Sequence, residues 1–416
     1  MQSDRTAVDR RTVLRASAAL VGGATLSTLA GCLDGNGAGG TADGTDTDEP
    51  DDDTDTAYAV EHVADGFEHP WGLAVLPGDG RLLVTERPGR LSLVDPADGT
   101  VQRVEDPPEV DASGQGGLLD VAIHPDFPDD RRVYLSYAAR GGEAGTTTHL
   151  GSARLDAEAP ALEGFETLLV ATPSVDSSNH FGSRVTFGPE GALFVTVGDR
   201  RDTAFGPDHV SQDRSNELGA TLRLTAGGDP HPENPFLDDP DAADTVYSYG
   251  HRNPQAMAVR PETGAIWQCE HGEEDGDEIN VVERGGNYGW PIVSEACRYG
   301  TDDPVAPGHE TREDVVAPVH HWACGSGGFP PSGAVFYEGS AFPAWQGDLL
   351  AGTLAGEYLG RFSVDGTGPE GATVTERAPL LADRGWRVRA LTIGPDGLPY
   401  VAVDDADAPI VRFTPA

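Results

Sequence analysis

The sequence predicts an all-β protein, a six-bladed β-propeller of four-stranded antiparallel sheets, and three observations predict it. One strand–turn–strand unit recurs six times, the mean spacing suits a four-stranded sheet, and together the units span more chain than a two-sheet sandwich, the alternative architecture, usually holds. Unit one pairs Gly72-Leu73-Ala74-Val75 with Leu82-Leu83-Val84-Thr85 across Pro77-Gly78-Asp79-Gly80. Unit two pairs Asp120-Val121-Ala122-Ile123 with Val133-Tyr134-Leu135-Ser136 across Pro125-Asp126, and unit three pairs Arg184-Val185-Thr186-Phe187 with Leu193-Phe194-Val195-Thr196 across Pro189-Glu190-Gly191. Unit four sets Met257-Ala258-Val259 against Ile266-Trp267, and unit five sets Ala334-Val335-Phe336 against Leu349-Leu350 across a looser turn. Unit six sets Leu391-Thr392-Ile393 against Tyr400-Val401. The turn prolines 77, 125, 189, 261, 343 and 395 recur at a mean interval of ~64 residues, enough for four strands and a loop. Radial closure leaves only short, protected sheet edges, so a chain of many short strands avoids edge-to-edge aggregation.

Ahead of the propeller, expected over residues 58–416, two segments read differently. Residues 1–31 read as a twin-arginine export signal: Asp9-Arg10-Arg11-Thr12-Val13-Leu14 precedes a small, apolar run from Ala16 to Ala30 that is too short for a permanent membrane span. The run ends in Leu29-Ala30-Gly31-Cys32, a lipobox in which Cys32 becomes the lipidated N-terminus. Residues 32–57 form an acidic linker of Gly, Thr and Asp with too little apolar surface to offset its ordering entropy, so it is expected to be disordered. The expected location is the extracytoplasmic face of the cell membrane, with the lipid on Cys32 as the only membrane attachment.

The 416 residues carry 69 acidic and 28 basic side chains, a net charge of −41, which disfavours nucleic acid and anionic membrane as partners. Every basic residue is arginine. Without lysine, Schiff-base, pyridoxal-phosphate and P-loop lysine chemistry are excluded. Such a surface repels itself in dilute buffer and is relieved by molar salt, a halophilic composition. With Cys32 lipidated, Cys269, Cys297 and Cys324 remain, so one thiol is unpaired; Cys297 with Cys324 is the expected disulfide, since both lie in loop-like sequence.

Loops at one end of a propeller converge, so polar residues from different repeats can build one site. Ser178-Asn179-His180-Phe181-Gly182 places an imidazole just before a strand, and Tyr249-Gly250-His251-Arg252-Asn253-Pro254-Gln255 leads into unit four. From Glu270 to Asn280 runs a glycine-bent, carboxylate-rich loop whose hard oxygens suit Ca²⁺ without an EF-hand pattern. Each also has a plainer reading: a structural histidine, an arginine salt bridge, a solvated acidic loop.

Taken together, residues 60–414 resemble the soluble pyrroloquinoline quinone (PQQ) dependent sugar dehydrogenases, the glucose and aldose sugar dehydrogenase family, which are six-bladed propellers. The resemblance is carried by His69-Pro70-Trp71-Gly72-Leu73, Thr85-Glu86-Arg87-Pro88-Gly89-Arg90, Gly114-Gln115-Gly116-Gly117, Asn179-His180-Phe181-Gly182, Gly250-His251-Arg252-Asn253-Pro254-Gln255, Glu270-His271-Gly272, Gly276-Asp277-Glu278-Ile279-Asn280, Gly286-Asn287-Tyr288-Gly289-Trp290-Pro291 and Trp386-Arg387-Val388-Arg389, in family order. It implies a PQQ- and Ca²⁺-dependent oxidation of the anomeric hydroxyl of an aldose to the lactone, with hydride passing to the quinone and electrons to an unidentified acceptor. His180 matches the general base, and Arg252 with Asn253 the pair that holds the quinone oxygens. Gln115 and Tyr299 match residues near the cofactor, and Arg387 and Arg389 those that bind its carboxylates. As i and i+2 on a strand, these two arginines face one side. The backbone carbonyls around Gly272 and Glu273 match ligands of the catalytic Ca²⁺, and Glu278 and Tyr288 a second, structural calcium site.

The chain departs from the family at two places. Glu273 stands where proline is common, and Ala355 stands where relatives carry a cofactor-contacting lysine, which implies a lower affinity, a replacement of that charge by Arg361 or a salt ion, or loss of the cofactor. Two alternatives stay open: a non-enzymatic binding propeller that has lost the cofactor, and a calcium-dependent lactonase, for which no inward Glu, Asn and Asp set is assignable. Sugar contacts are expected from variable loops, residues 138–148 and 324–331.

Overall fold

A computed structural model describes residues 57–142, 145–368 and 371–416. The export signal, Cys32 and the linker through residue 56 lie outside the described residues. The described residues form six four-stranded antiparallel sheets around a ring, the six-bladed propeller the repeat predicts. Each recurring unit supplies the first two strands of a blade. The innermost strands are Pro70–Val75, Leu118–Ile123, Val185–Phe187, Pro254–Val259, Pro331–Phe336 and Val388–Ile393, and each touches the next around the ring, the last touching the first.

The repeat predicts no strand before Gly72. The structure shows Tyr58–Phe67 as the outermost strand of blade six, antiparallel to Ala408–Pro415 with Tyr58 opposite Pro415 and His62 opposite Val411. N- and C-terminal strands thus share one sheet, which closes the ring without a free inner edge. Between sheets the core is apolar; Leu83, Leu91 and Leu93 of blade one meet Val133, Leu135 and Tyr137 of blade two, and every one is buried.

At the hub sits a buried cation. Arg184, just before the inner strand of blade three, pairs with Asp120 of blade two at 3.1 Å. It also donates to the carbonyls of Gln255 in blade four (2.5 Å) and Arg389 in blade six (3.0 Å), and its guanidinium lies 4.0 Å from the centre of the Trp71 ring in blade one. One side chain therefore ties five blades together. An unpaired charge here would be costly, and the pairing with Asp120 together with the hydrogen bonds offsets its desolvation.

Cys297 and Cys324 are joined, as expected, and Cys269 is buried and free, its thiol pushed up to about 12 by burial and by the neighbouring Glu270. Among the described residues no helix is long and apolar enough to cross a membrane. From the −41 charge, the thermal unfolding midpoint is expected to rise between dilute and molar KCl, because screening at ~3 Å relieves surface repulsion. A flat or falling midpoint in a salt series would contradict it.

Candidate active site

The loop ahead of blade three sets the geometry. His180 adopts a left-handed backbone (φ 49°), a costly conformation for a residue with a Cβ, and Gly182 follows at φ 63°. Two side chains from other blades hold this turn: His180 N–H donates to Gln115 Oε1 at 2.8 Å, and Gly182 N–H to Asn253 Oδ1 at 3.1 Å. Gln115, His180 and Asn253 are thus brought together from the approaches to blades two, three and four.

The imidazole of His180 is buried, with Nδ1 2.7 Å from Asp199 Oδ1. Asp199 also accepts from Trp290 Nε1 (2.9 Å) and from the backbone N–H of Arg201 (2.7 Å). Burial pushes the Asp199 carboxyl up, but His180, Arg252 and His209 outweigh it and hold it below the usual range. An ionised Asp199 accepts a hydrogen bond from the Nδ1–H of His180, which leaves Nε2 without a proton. Burial and then the Arg252 charge lower the His180 pKa, against the opposing pull of Asp199. The ring is therefore a neutral, oriented base.

Arg252 enters from the start of blade four. Its backbone N–H donates to Glu270 Oε2 (2.7 Å), and Glu270 also binds His251 Nδ1 (2.8 Å), so a carboxylate at the end of the neighbouring strand fixes the loop. The guanidinium lies 5.2 Å from the Trp290 ring centre and donates to Glu273 Oε2 at 2.6 Å; its Nε is buried without a partner among the described residues. His271 Nε2 is likewise buried and unpartnered. Two buried nitrogens with nothing to bind mark a place for a polar ligand. Tyr299, 54% exposed, stands near enough to reinforce the Arg252 charge.

Arg387 and Arg389 flank one acid. Asp404 Oδ2 accepts from Arg389 at 3.0 Å and lies 3.7 Å from Arg387, while its Oδ1 meets His69 Nδ1 at 2.8 Å. Burial raises the Asp404 carboxyl, but Arg389, His69 and Arg387 hold it at about 2. Arg389 is buried and also donates to Gln255 (3.0 Å), whereas the Arg387 side chain is 44% exposed and free to reach a ligand.

Most of the carboxylates in the loop from Glu270 to Glu278 are structural. Glu274 accepts from Gly300 N–H, Asp275 from the N–H groups of Cys297 and Gly325, and Asp277 from those of Gly272 and Phe329. These bonds pin the loop so that Gly272 is irreplaceable: a Cβ there would meet the Asp275 carbonyl at 1.9 Å. The carbonyls of Gly272 and Glu273 accept no hydrogen bond from the described residues, so two hard oxygens remain for a cation.

A small cavity of about 10 Å³ is lined by Arg252, Glu270, Gly272, Glu278, Tyr288 and Ser294 among others. Burial, with Glu270 adding and His309 opposing, pushes Glu278 up to about 7. Asn280 bridges Glu270 and Glu278 through Nδ2, and its Oδ1 is buried without a partner among the described residues. Crowded carboxylates beside an orphan oxygen fit a single hard cation, and the volume admits one small occupant. Tyr288 could offer only its carbonyl, since its phenol donates to Val281 O and accepts from Glu283 N–H.

Ala355 lies exposed in the turn between the strands Leu349–Thr353 and Leu359–Asp365. Arg361 does not replace the missing charge, because it is buried against Asp348 at 2.6 Å and the Ala344 carbonyl.

A closed propeller whose channel gathers an Asp-held histidine, a clamped Arg-Asn pair and a twin-arginine rim defines a class, and known proteins of the same shape agree: the chain belongs to the glucose / sorbosone dehydrogenase family, which matches residues 67–412. Among its relatives is aldose sugar dehydrogenase YliI of Escherichia coli K12, 37% identical over 357 residues that cover 86% of this chain and 92% of that protein. A solved structure of the soluble aldose sugar dehydrogenase from E. coli in the apo-form aligns with TM-score 0.79 at 36% identity, covering 86% and 100% of the two chains. The PQQ-bound aldose sugar dehydrogenase from Streptomyces coelicolor aligns with TM-score 0.68 at 30% identity, covering 86% and 98%.

Sequence reasoning missed Asp199 and Asp404 behind the site, and placed Glu270 in the calcium loop without its role in holding His251 and Arg252. Each stands at or just past the end of the second strand of its blade, after Leu193–Val197, at the end of Ile266–Glu270, and after Pro399–Val403.

Proposed function

We propose that the chain is a PQQ- and Ca²⁺-dependent dehydrogenase that oxidises the anomeric hydroxyl of an aldose to the lactone. The observation that carries this reading is His180, buried, neutral and held by Asp199 with Nε2 free, in the same channel as Arg252 and Asn253. Bound PQQ would supply the hydride acceptor. His180 Nε2 takes the proton of the C1 hydroxyl, and Asp199 steadies the imidazolium that forms. Arg252 and Asn253 would hold the quinone oxygens, with the guanidinium pre-placed by Trp290 to stabilise negative charge there. Arg387 and Arg389 would take the carboxylates, and the free carbonyls of Gly272 and Glu273 a calcium ion.

Because the His180 pKa is lowered, the neutral base persists below pH 6.5, and turnover should fall only as pH drops through that lowered value. Asp199 raises the His180 pKa, so Asp199→Asn should move this acid limb to still lower pH while cutting kcat on the order of 10²-fold or more through loss of ring orientation. A pH profile of the variant with an unmoved limb and wild-type kcat would refute the dyad.

The proposal extends to location: export through the twin-arginine signal and anchoring on Cys32. Fatty-acid labelling in the cell should disappear in Cys32→Ser. Labelling that persists would count against the lipobox.

A further inference from the structure

Glu273 does something that Glu274, Asp275 and Asp277 do not. Its carboxylate, 15% exposed, sits 2.6 Å from the Arg252 guanidinium, while these neighbouring acids hold backbone N–H groups. Arg252 also reaches towards the His271 carbonyl at 3.5 Å, so the guanidinium lies against the backbone next to Gly272. A cation on the free carbonyls of Gly272 and Glu273 would therefore lie near both the guanidinium, which repels it, and the carboxylate, which attracts it. Two neutral carbonyls are a thin ligand set for Ca²⁺, which takes six to eight oxygens and gains affinity with ligand charge. Arg252, meanwhile, has its fork partly engaged and its Nε buried without a partner.

We propose that Glu273 is a metal-linked gate: Ca²⁺ draws its carboxylate off Arg252 and onto the ion as a third protein ligand, and the freed guanidinium then receives the quinone oxygens. The inference rests on the PQQ- and calcium-dependent reading above and adds a residue to its machinery. No bond is made or broken; a carboxylate exchanges one cationic partner for another. Linkage requires reciprocity, so Ca²⁺ should tighten PQQ binding by the same factor by which PQQ tightens Ca²⁺.

The test uses full-length protein stripped with a chelator and returned to molar KCl. Calcium is titrated calorimetrically into wild type and Glu273→Gln without cofactor, and PQQ is titrated by absorbance with and without calcium. Glu273→Gln is expected to bind Ca²⁺ at least about tenfold more weakly, to bind PQQ more tightly in calcium-free buffer, and to lose at least about tenfold of the calcium–PQQ coupling. Calcium affinity within twofold of wild type would overturn the gate and leave Glu273 as a cap on Arg252. Should Glu273→Gln fail to fold, wild type alone still decides, because a coupling factor of one overturns the gate. Wild type that binds PQQ but no calcium would remove both the gate and the calcium reading.

Discussion

His180→Ala is expected to cut sugar oxidation by about 10²–10⁴-fold while PQQ affinity stays within about twofold of wild type. The side chain's hydrogen bond in the channel is to Asp199, and the contact that shapes the loop, from His180 N–H to Gln115 Oε1, belongs to the backbone and survives truncation. Asp199 is not stranded, because Trp290 Nε1 and Arg201 N–H still donate to it. The loss should therefore fall on kcat rather than on folding or cofactor binding. Dye reduction and a PQQ titration on the same preparation separate the two, and a variant with wild-type turnover would end the assignment of His180 as base.

The second large effect concerns the cofactor's carboxylates. With Ala355 in place of a lysine and Arg361 held by Asp348, the carboxylates would fall mainly to Arg252, Arg387 and Arg389. Truncating one partner of a charge pair that becomes buried under a ligand costs about 2–5 kcal/mol, roughly thirtyfold to several thousandfold in affinity. Arg387 starts half-exposed and only 3.7 Å from Asp404, so Arg387→Ala should sit at the low end, about thirtyfold, and should leave the fold intact because Arg389 and His69 continue to hold Asp404. Ala355→Lys should tighten PQQ, most at low salt, where no other cation screens the ligand. Equal PQQ affinity in wild type and Arg387→Ala would remove the clamp.

The propeller was legible because its inner hairpins are the most apolar and most regularly punctuated part of each blade. Prolines 77, 125, 189, 261, 343 and 395 all fall between the first two strands of a blade. Tyr58–Phe67 was not legible, since it joins a blade whose other strands lie more than 300 residues away, and half its side chains face solvent. His180, Arg252 and Asn253 stood out as loop residues at the starts of inner strands. Their acidic supports did not, because among 69 acids in one chain Asp199 and Asp404 carry no distinguishing pattern and Glu270 reads as part of an acidic loop. Antiparallel register gives the rule that finds them. The start of an inner strand lies opposite the end of the next, as Pro254 lies opposite Glu270, so the acid behind a channel residue belongs at the end of the second strand.

Glu273 shows the opposite limit. Its departure from proline is visible in the sequence, but only the fold shows that its carboxylate lands on Arg252 and not on solvent. Similarly, the acids of the calcium loop read as ligands by composition, yet backbone N–H groups claim Glu274, Asp275 and Asp277 before any ion can. Composition reports which atoms a loop owns; hydrogen bonds decide which remain free.

The central claim, that this channel binds PQQ to oxidise sugars, is tested most directly by reconstitution. Purified chain in molar KCl is given PQQ, Ca²⁺, both or neither, and reduction of an artificial dye is followed over a panel of aldoses. Turnover is expected only when both are present, with at least one aldose oxidised to its lactone and oxidation by His180→Ala at least about a hundredfold slower. Failure of folded protein to bind PQQ at any calcium concentration would contradict the claim and would make the chain a binding propeller that keeps the architecture of the site without its chemistry.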